Sequence, residues 1–275
     1  GQNLIGTEQG YHIGVIRTQE LLAARRIDGA EQFFSRAYDF GFSKTNDETL
    51  NFWNEDKILS DLVWVIRQYQ PDVIITRFPP DPRAGHGHHQ SSAVLAEKAF
   101  HLAGDANQFQ SQLAYVKPWK AKRLVWNSYS PGFSNQAPKD EKSPILAVEL
   151  GLYNPLLGKS YTEIAAQSRS QHKSQGFGST PVRDVRIEYL VHKAGDVAKK
   201  SMFDEIDTTW NRIKGGQQII PIVEKLLTDF KVNQPYLSVP QLVTLYKAIN
   251  TLDTTNLYVR TKTEEVKTLI KECLV

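Results

Sequence analysis

Sulfur is nearly absent: Cys273 and Met202 are the one cysteine and the one methionine in 275 residues. A lone thiol excludes an internal disulfide and any cysteine-built zinc cluster, and leaves the redox compartment open. Lying close to the chain's end, it is also a poor choice for a catalytic nucleophile. No apolar run approaches the roughly 20 residues that cross a bilayer as a helix. No basic block is present either. The 33 basic and 30 acidic residues are spread along the chain and leave a net charge of +3, so nucleic acid is not an implied partner. Neither a Gly-x-Ser-x-Gly elbow nor a phosphate-cradling Gly-x-x-x-x-Gly-Lys loop occurs. There is no internal repeat, no low-complexity segment and no signal-peptide pattern.

What is there is ordinary in bulk and unusual in one place. Hydrophobic residues make up 40% and charged residues 23%, as in globular domains generally. The length allows one large core or two smaller ones. The unusual stretch is Pro71 to His101. Val73-Ile74-Ile75 has the length and β-branching of a buried strand. A loop follows with Pro79, Pro80, Pro82, Gly85 and Gly87, residues that suit neither strand nor helix interiors. The pattern then turns helical through Ala93, Val94, Ala96, Ala99 and Phe100. His86, His88 and His89 fall between strand and helix. In an open α/β sheet, ligands bind at that junction.

The rest of the chain supports an α/β fold with a mostly parallel sheet flanked by helices. Apolar spacing predicts a helix from Val15 to Ala30 and an amphipathic helix from Glu55 to Tyr69. Phe33 to Phe40 reads as a short strand with Asp39 at its carboxyl end, and 43–50 as a polar connector. This β-α-β alternation argues for parallel pairing. Strands are expected over 72–77, 122–129, 144–150 and 182–191. A helix is expected over 159–175, with Ser160 and Glu163 forming a capping box. Composition shifts near Gly195. Residues 1–195 therefore read as the α/β domain. Residues 196–275 read as a helical appendage with helices near 203–213, 219–230, 240–252 and 263–274.

His86 and His89, three apart at a helix start, would share a face, with His88 pointing elsewhere. Neutral imidazole is the commonest protein metal ligand, and catalytic zinc usually takes three protein ligands and a water. The loop supplies one or two; a solvated histidine cluster is the plainer alternative. Asp39 suits either a substrate hydroxyl or a loop cap. Arg17 and Glu20 have the spacing of a helix-surface ion pair. His172 and Gln175 share a face near a helix end, where the dipole alone favours histidine. Arg77 and Arg83 flank the histidines, facing either an anionic substrate or solvent.

Taken in order, these residues resemble the LmbE-like, or PIG-L, zinc-dependent de-N-acetylases, which include N-acetylglucosaminyl-phosphatidylinositol de-N-acetylase. The resemblance rests on Arg17-x-x-Glu20 in a helix, Asp39 after a strand, PDVIITR followed by His86-Gly87-His88-His89, and His172-Lys173-Ser174-Gln175. It covers about residues 1–190, and the tail resembles an extension of large bacterial members. It implies a Rossmann-like fold and hydrolysis of an N-acetyl group from an amino-sugar conjugate. It also implies Zn2+, for which His and carboxylate sites accept other divalent ions too. On the same grounds His89 is the metal ligand and His86 the catalytic residue that stabilises or protonates the tetrahedral intermediate. Arg17, Asp39 and His172 fall where the family meets substrate.

One departure from the pattern sets a further expectation. The family's opening strand ends in Ala-His-Pro-Asp-Asp, which supplies two more zinc ligands and the carboxylate that activates water. That motif is absent from the sequence. The chain opens Gly1-Gln2-Asn3 and closes in the apolar Cys273-Leu274-Val275, which reads as a fragment of a longer polypeptide. The expectation is an incomplete enzyme, inactive alone, whose partner is its own missing N-terminal segment. The alternative is a non-catalytic carbohydrate-binding or regulatory module of the same fold.

Overall fold

The computed structural model describes residues 3–128, 137–139, 141–155 and 157–274. They form two compact units, Gly1–Asp204 and Glu205–Val275.

In the first unit, helix α1 spans Tyr11–Asp28 and ends where Gly29, at φ 72°, turns left-handed, a conformation glycine adopts without a Cβ penalty. Helix α2 (Asn46–Phe52) occupies the stretch read as a polar connector. Its start carries the same signature read at Ser160: the Thr45 side chain accepts the Glu48 amide at 3.2 Å, and Glu48 Oε2 accepts the Lys44 amide at 2.7 Å. Helix α3 (Glu55–Tyr69) has the expected bounds and is capped by the Asn54 side chain. Strand β1 (Val73–Thr76) and helix α4 (Gly87–Leu102) bracket the histidine loop. Strands β2 (Arg123–Asn127) and β3 (Ile145–Glu149) follow, then the short pair β4 (Tyr153–Asn154) and β5 (Lys159–Ser160). Helix α5 (Tyr161–Arg169) begins with the predicted capping box, stops short of Gln175, and gives way to a 3-10 turn at Lys173–Gln175. Strand β6 (Ile187–Gly195) completes the set.

The main sheet has the order β1-β2-β6-β3. Helices flank it, as expected for an α/β protein, but its pairing is not mostly parallel. Only β1 and β2 are parallel; β2–β6 and β6–β3 are antiparallel. β1, β2 and β3 do share one direction. The reversed β6 sits between β2 and β3, so a single strand makes two of the three ladders antiparallel. The strand expected at 33–40 does not form. Its backbone groups go to side chains instead of a ladder: the Arg36 amide donates to Asp61 Oδ2 at 2.8 Å, and Tyr38 O accepts from Trp53 Nε1 at 2.8 Å. β1 is accordingly an edge strand rather than a buried one, with Ile75 49% exposed.

The core that supports the site is α3 against α4. Ile58, Leu59, Val63 and Ile66 pack on Leu95, Ala99 and Ala103, with Ile74 of β1 and Trp53 at the margins. Phe100, Ala121 and Leu124 extend it onto the sheet.

In the second unit, helices α6 (Ile220–Asp229), α7 (Val239–Ile249) and α8 (Leu257–Glu272) surround Ile219, Leu242, Leu245, Ile249 and Val259. The first of the four helices expected in this tail is reduced to a 3-10 turn at Trp210–Arg212. Among the described residues no helix is long and apolar enough to cross a membrane.

Candidate functional site

The loop from Arg77 to His86 is braced from within. Asp81 accepts the Arg83 amide at 3.0 Å and takes the Arg83 side chain bidentately, at 2.9 and 2.7 Å. Arg83 also reaches Glu141 and lies over the Trp126 ring at 5.0 Å; Arg77 pairs with Glu188 at 3.6 Å. Carboxylates of the chain itself therefore meet both arginines, which favours the structural reading of them over an anion site. Gly85, at φ 73°, closes the turn and delivers His86 in an extended conformation as the N-cap of α4.

That placement assigns the histidine tautomers. His86 Nδ1 accepts the His88 amide at 3.1 Å, as a Ser or Asp side chain would at this position. A nitrogen that accepts carries no proton, so neutral His86 holds its proton on Nε2 and offers a donor there. His89 is the opposite case. Its Nδ1 lies 3.3 Å from Ala84 O, which can only accept. The proton sits on Nδ1, and Nε2 keeps its lone pair. Metal-binding histidines typically donate their other N–H to just such a carbonyl. The His89 ring stacks flat on Phe78 at 3.7 Å and lies 5.1 Å from the His86 ring.

His88 does not point away. Because His86 is extended, its ring folds back over the first turn, and helical spacing does not govern the pair. His88 Nδ1 lies 3.1 Å from His86 Nδ1 and 3.3 Å from Ser43 Oγ. Its ring packs among Phe40 and Trp53, at 4.5 and 4.9 Å. Ser43 in turn bonds Thr49 at 2.8 Å, and both are fully buried. These supporting residues escaped sequence reasoning because they come from the stretch read as a connector; the Thr45-x-x-Glu48 signature was the available clue to α2.

A cavity of about 330 Å³ opens onto the cluster, lined by Tyr38, Asp39, Gly41, Trp53 and the three histidines. The structure thus brings Asp39, His86 and His89 together. Asp39 Oδ1 accepts the Gly41 amide at 2.8 Å. Burial works against its charge, and the Gly41 amide favours it. Burial pushes His88 down first, with His86 adding to it and Asp39 opposing; burial also lowers His89.

Arg17 and His172 belong to another grouping, α1 with α5 and the 172–176 turn, and do not line this cavity. Glu20 is committed to that turn: its two oxygens accept the Ser174 amide and hydroxyl, each at 2.7 Å. Among the described residues no group of three or more His, Cys, Asp or Glu side chains could hold a metal ion. His89 has the arrangement of a ligand, but these residues do not complete a zinc site.

Depressed histidines set a pH dependence. Below about 6.5 the unfolded chain binds protons that folded His88 and His89 resist, so stability rises with pH across that window. The urea midpoint should fall as pH drops from 7.5 to 5.5, and less steeply in His88→Gln. An equal slope in the variant would remove His88 as a source.

Fold and cavity together define an α/β protein with a histidine cluster at the carboxyl end of a strand. Residues 1–100 match the family model described as PIG-L, GlcNAc-PI de-N-acetylase. One relative is a 1D-myo-inositol 2-acetamido-2-deoxy-alpha-D-glucopyranoside deacetylase 2 from Catenulispora acidiphila, 30% identical over 113 residues. That alignment covers 39% of this chain and 37% of the relative, so the chain spans little more than a third of the relative's length. The matched stretch contains Arg17, Glu20, Asp39, His86 and His89.

Proposed function

We propose that this chain is a PIG-L-type de-N-acetylase domain that acts on the N-acetyl group of an amino-sugar conjugate. The observation that carries the reading is the split of tautomers within one cavity. His86 presents a donor, His89 a lone pair, and Asp39 a carboxylate, all inside the stretch that matches the family.

In this reading the acetamide oxygen lies against His86 Nε2. The N–H stabilises the charge that develops on oxygen as the carbonyl becomes tetrahedral, and its proton is available to the departing amine. Asp39 accepts from sugar hydroxyls, with Arg17 and His172 serving more distant parts of the substrate. Zinc, or another divalent ion, is part of the proposal, with His89 as one ligand. The described residues supply neither the remaining ligands nor a carboxylate base. β1 has an open edge beside an apolar groove of about 460 Å³. A strand carrying those groups would pair there, and without it residues 1–275 would be inactive.

The test compares the native polypeptide with residues 1–275 alone. Zinc per chain is measured by elemental analysis, and acetate release from an N-acetylglucosaminyl-inositol conjugate with and without a chelator. Near-stoichiometric zinc and chelator-sensitive acetate release in the native polypeptide, with neither in residues 1–275, is the expected result. Binding of the conjugate without acetate release in the native polypeptide overturns the reading in favour of a non-catalytic carbohydrate-binding module.

A further inference from the structure

The hydrogen bonds behind His86 run in one direction, and the two ends of the chain fix it. At one end Thr49 Oγ1 donates to Thr45 O at 3.1 Å, at the start of α2, the usual back-bond of a helical threonine. A carbonyl can only accept, and a hydroxyl has one proton to give. Thr49 is therefore the acceptor in its 2.8 Å bond with Ser43 Oγ. Ser43, its one proton committed to Thr49, can only accept from His88 Nδ1 at 3.3 Å. The proton of neutral His88 then lies on Nδ1.

The other end gives the same answer. His86 Nδ1 accepts the His88 amide, so it carries a lone pair and no proton. His88 Nδ1 lies 3.1 Å from it, a separation at which two bare nitrogens repel and an N–H donor binds. A third observation agrees. His88 Nε2 is buried and bonds no described group. Protein interiors tolerate an unmet acceptor more often than an orphaned N–H, so the bare nitrogen of His88 is Nε2. Ser43 and Thr49 are both fully buried, and water offers neither hydroxyl another partner.

We propose that Ser43 and Thr49 are positioning residues of the histidine site, which fix the proton of neutral His88 on Nδ1, aimed at His86, and through it the proton of His86 on Nε2. The Thr45 carbonyl anchors the chain, and each hydroxyl passes the direction on. His86 Nδ1 takes two donors from one neighbour, the amide and the ring of His88, and has no room for a proton of its own. The role rests on the de-N-acetylase reading, which needs the His86 Nε2–H against the acetamide oxygen. It adds two buried hydroxyls, neither of which lines the cavity.

The experiment is imidazole nitrogen NMR on the native polypeptide, isotopically labelled at histidine, at a pH where the imidazoles are neutral. The wild type should show His86 protonated on Nε2 and His88 on Nδ1. Thr49→Val keeps the side-chain shape and frees the Ser43 proton to turn onto His88 Nδ1, so the His88 proton should move to Nε2. Thr49→Ser keeps the hydroxyl and should keep the wild-type pattern. In acetate release from N-acetylglucosaminyl-inositol, Thr49→Val should lower kcat roughly tenfold, the scale of one buried hydrogen bond, with KM changed less than about twofold. Thr49→Ser should recover kcat. A wild-type His88 protonated on Nε2 overturns the proposal, and that result needs no variant to fold. So does a Thr49→Val protein with the wild-type pattern, or with a moved proton and an unchanged kcat. A wild type that releases no acetate removes the de-N-acetylase reading, while the nitrogen pattern still decides whether the hydroxyls direct the histidine protons.

Discussion

Replacing Arg67 with alanine should destabilise the first unit by about 3–4 kcal/mol, the scale of several buried hydrogen bonds left unmade. Arg67 is in the last turn of α3 and only 1% exposed. No carboxylate accepts its hydrogen bonds. Instead Nε donates to Ala103 O at 3.1 Å, and Nη1 to Phe109 O and Gln112 Oε1 at 3.3 and 3.2 Å. Nη2 reaches Asp105 O at 2.8 Å, Gln108 O at 2.9 Å and, more weakly, Leu102 O at 3.4 Å. Leu102 and Ala103 are the last residues of α4 and its C-cap, so the guanidinium closes the negative end of that helix. It also gathers the loop that follows. Gln112 ties the same loop back to α3 by donating to Ser60 O at 2.8 Å. Burial lowers the Arg67 pKa, opposed by Asp105, but arginine stays charged in proteins. The measurement is the urea midpoint, with hydrogen exchange over 102–112 as the local probe. Arg67→Lys should still cost about 2 kcal/mol, because three donors on a point charge cannot serve a ring of carbonyls. A midpoint unchanged in Arg67→Ala would show that water satisfies these carbonyls equally well.

Gly87→Ala should cost about 2–3 kcal/mol, the range for overpacking a filled site, and should also disorder the histidine cluster. A Cβ at Gly87 would lie 2.3 Å from Thr45 O and 2.5 Å from both Ser43 Oγ and Thr49 Oγ1. The first of these is backbone and cannot swing aside. The Gly87 amide donates to Ser43 O at 2.8 Å, so the 43–45 segment is seated directly on the start of α4. To admit a methyl group, Thr45 must move, and the first turn of α2 moves with it. Ser43 and Thr49 then leave His88, and the ring that packs beside His86 loses its support. Imidazole nitrogen shifts of His86 and His88 should change together with the fall in urea midpoint. A destabilised variant with unchanged imidazole shifts would show that the α2 contact braces the fold but not the cluster.

How much of this could be read from residues alone varies from element to element. α3 was legible to its ends because its apolar positions recur at helical spacing; its Asn54 cap came only with the structure. The Ser160–Glu163 box was legible because it is a local exchange of hydrogen bonds. The histidine loop announced itself through its prolines, glycines and three imidazoles, and the family match over residues 1–100 contains it. The segment at 33–40 was misread because a strand needs a neighbour, and its amides found Asp61 and its carbonyl found Trp53 instead. His88 was misplaced because helical spacing does not describe a ring whose partner is an extended N-cap.

Local pattern therefore settled α3, α4 and the strands β1, β2 and β3, and where the polar chemistry would gather, but not α2 or the 33–40 segment. Those follow from short-range sterics, capping and periodicity, which depend on neighbours a few positions away. The reversed β6 between β2 and β3, the seating of 43–49 on Gly87, the carbonyls collected by Arg67 and the opposite tautomers of His86 and His89 came only with the folded chain. Two of these bring together groups 35 to 45 positions apart in sequence, and the tautomers turn on whether the partner of a ring nitrogen is an amide N–H, which donates, or a carbonyl, which accepts. No periodicity encodes either.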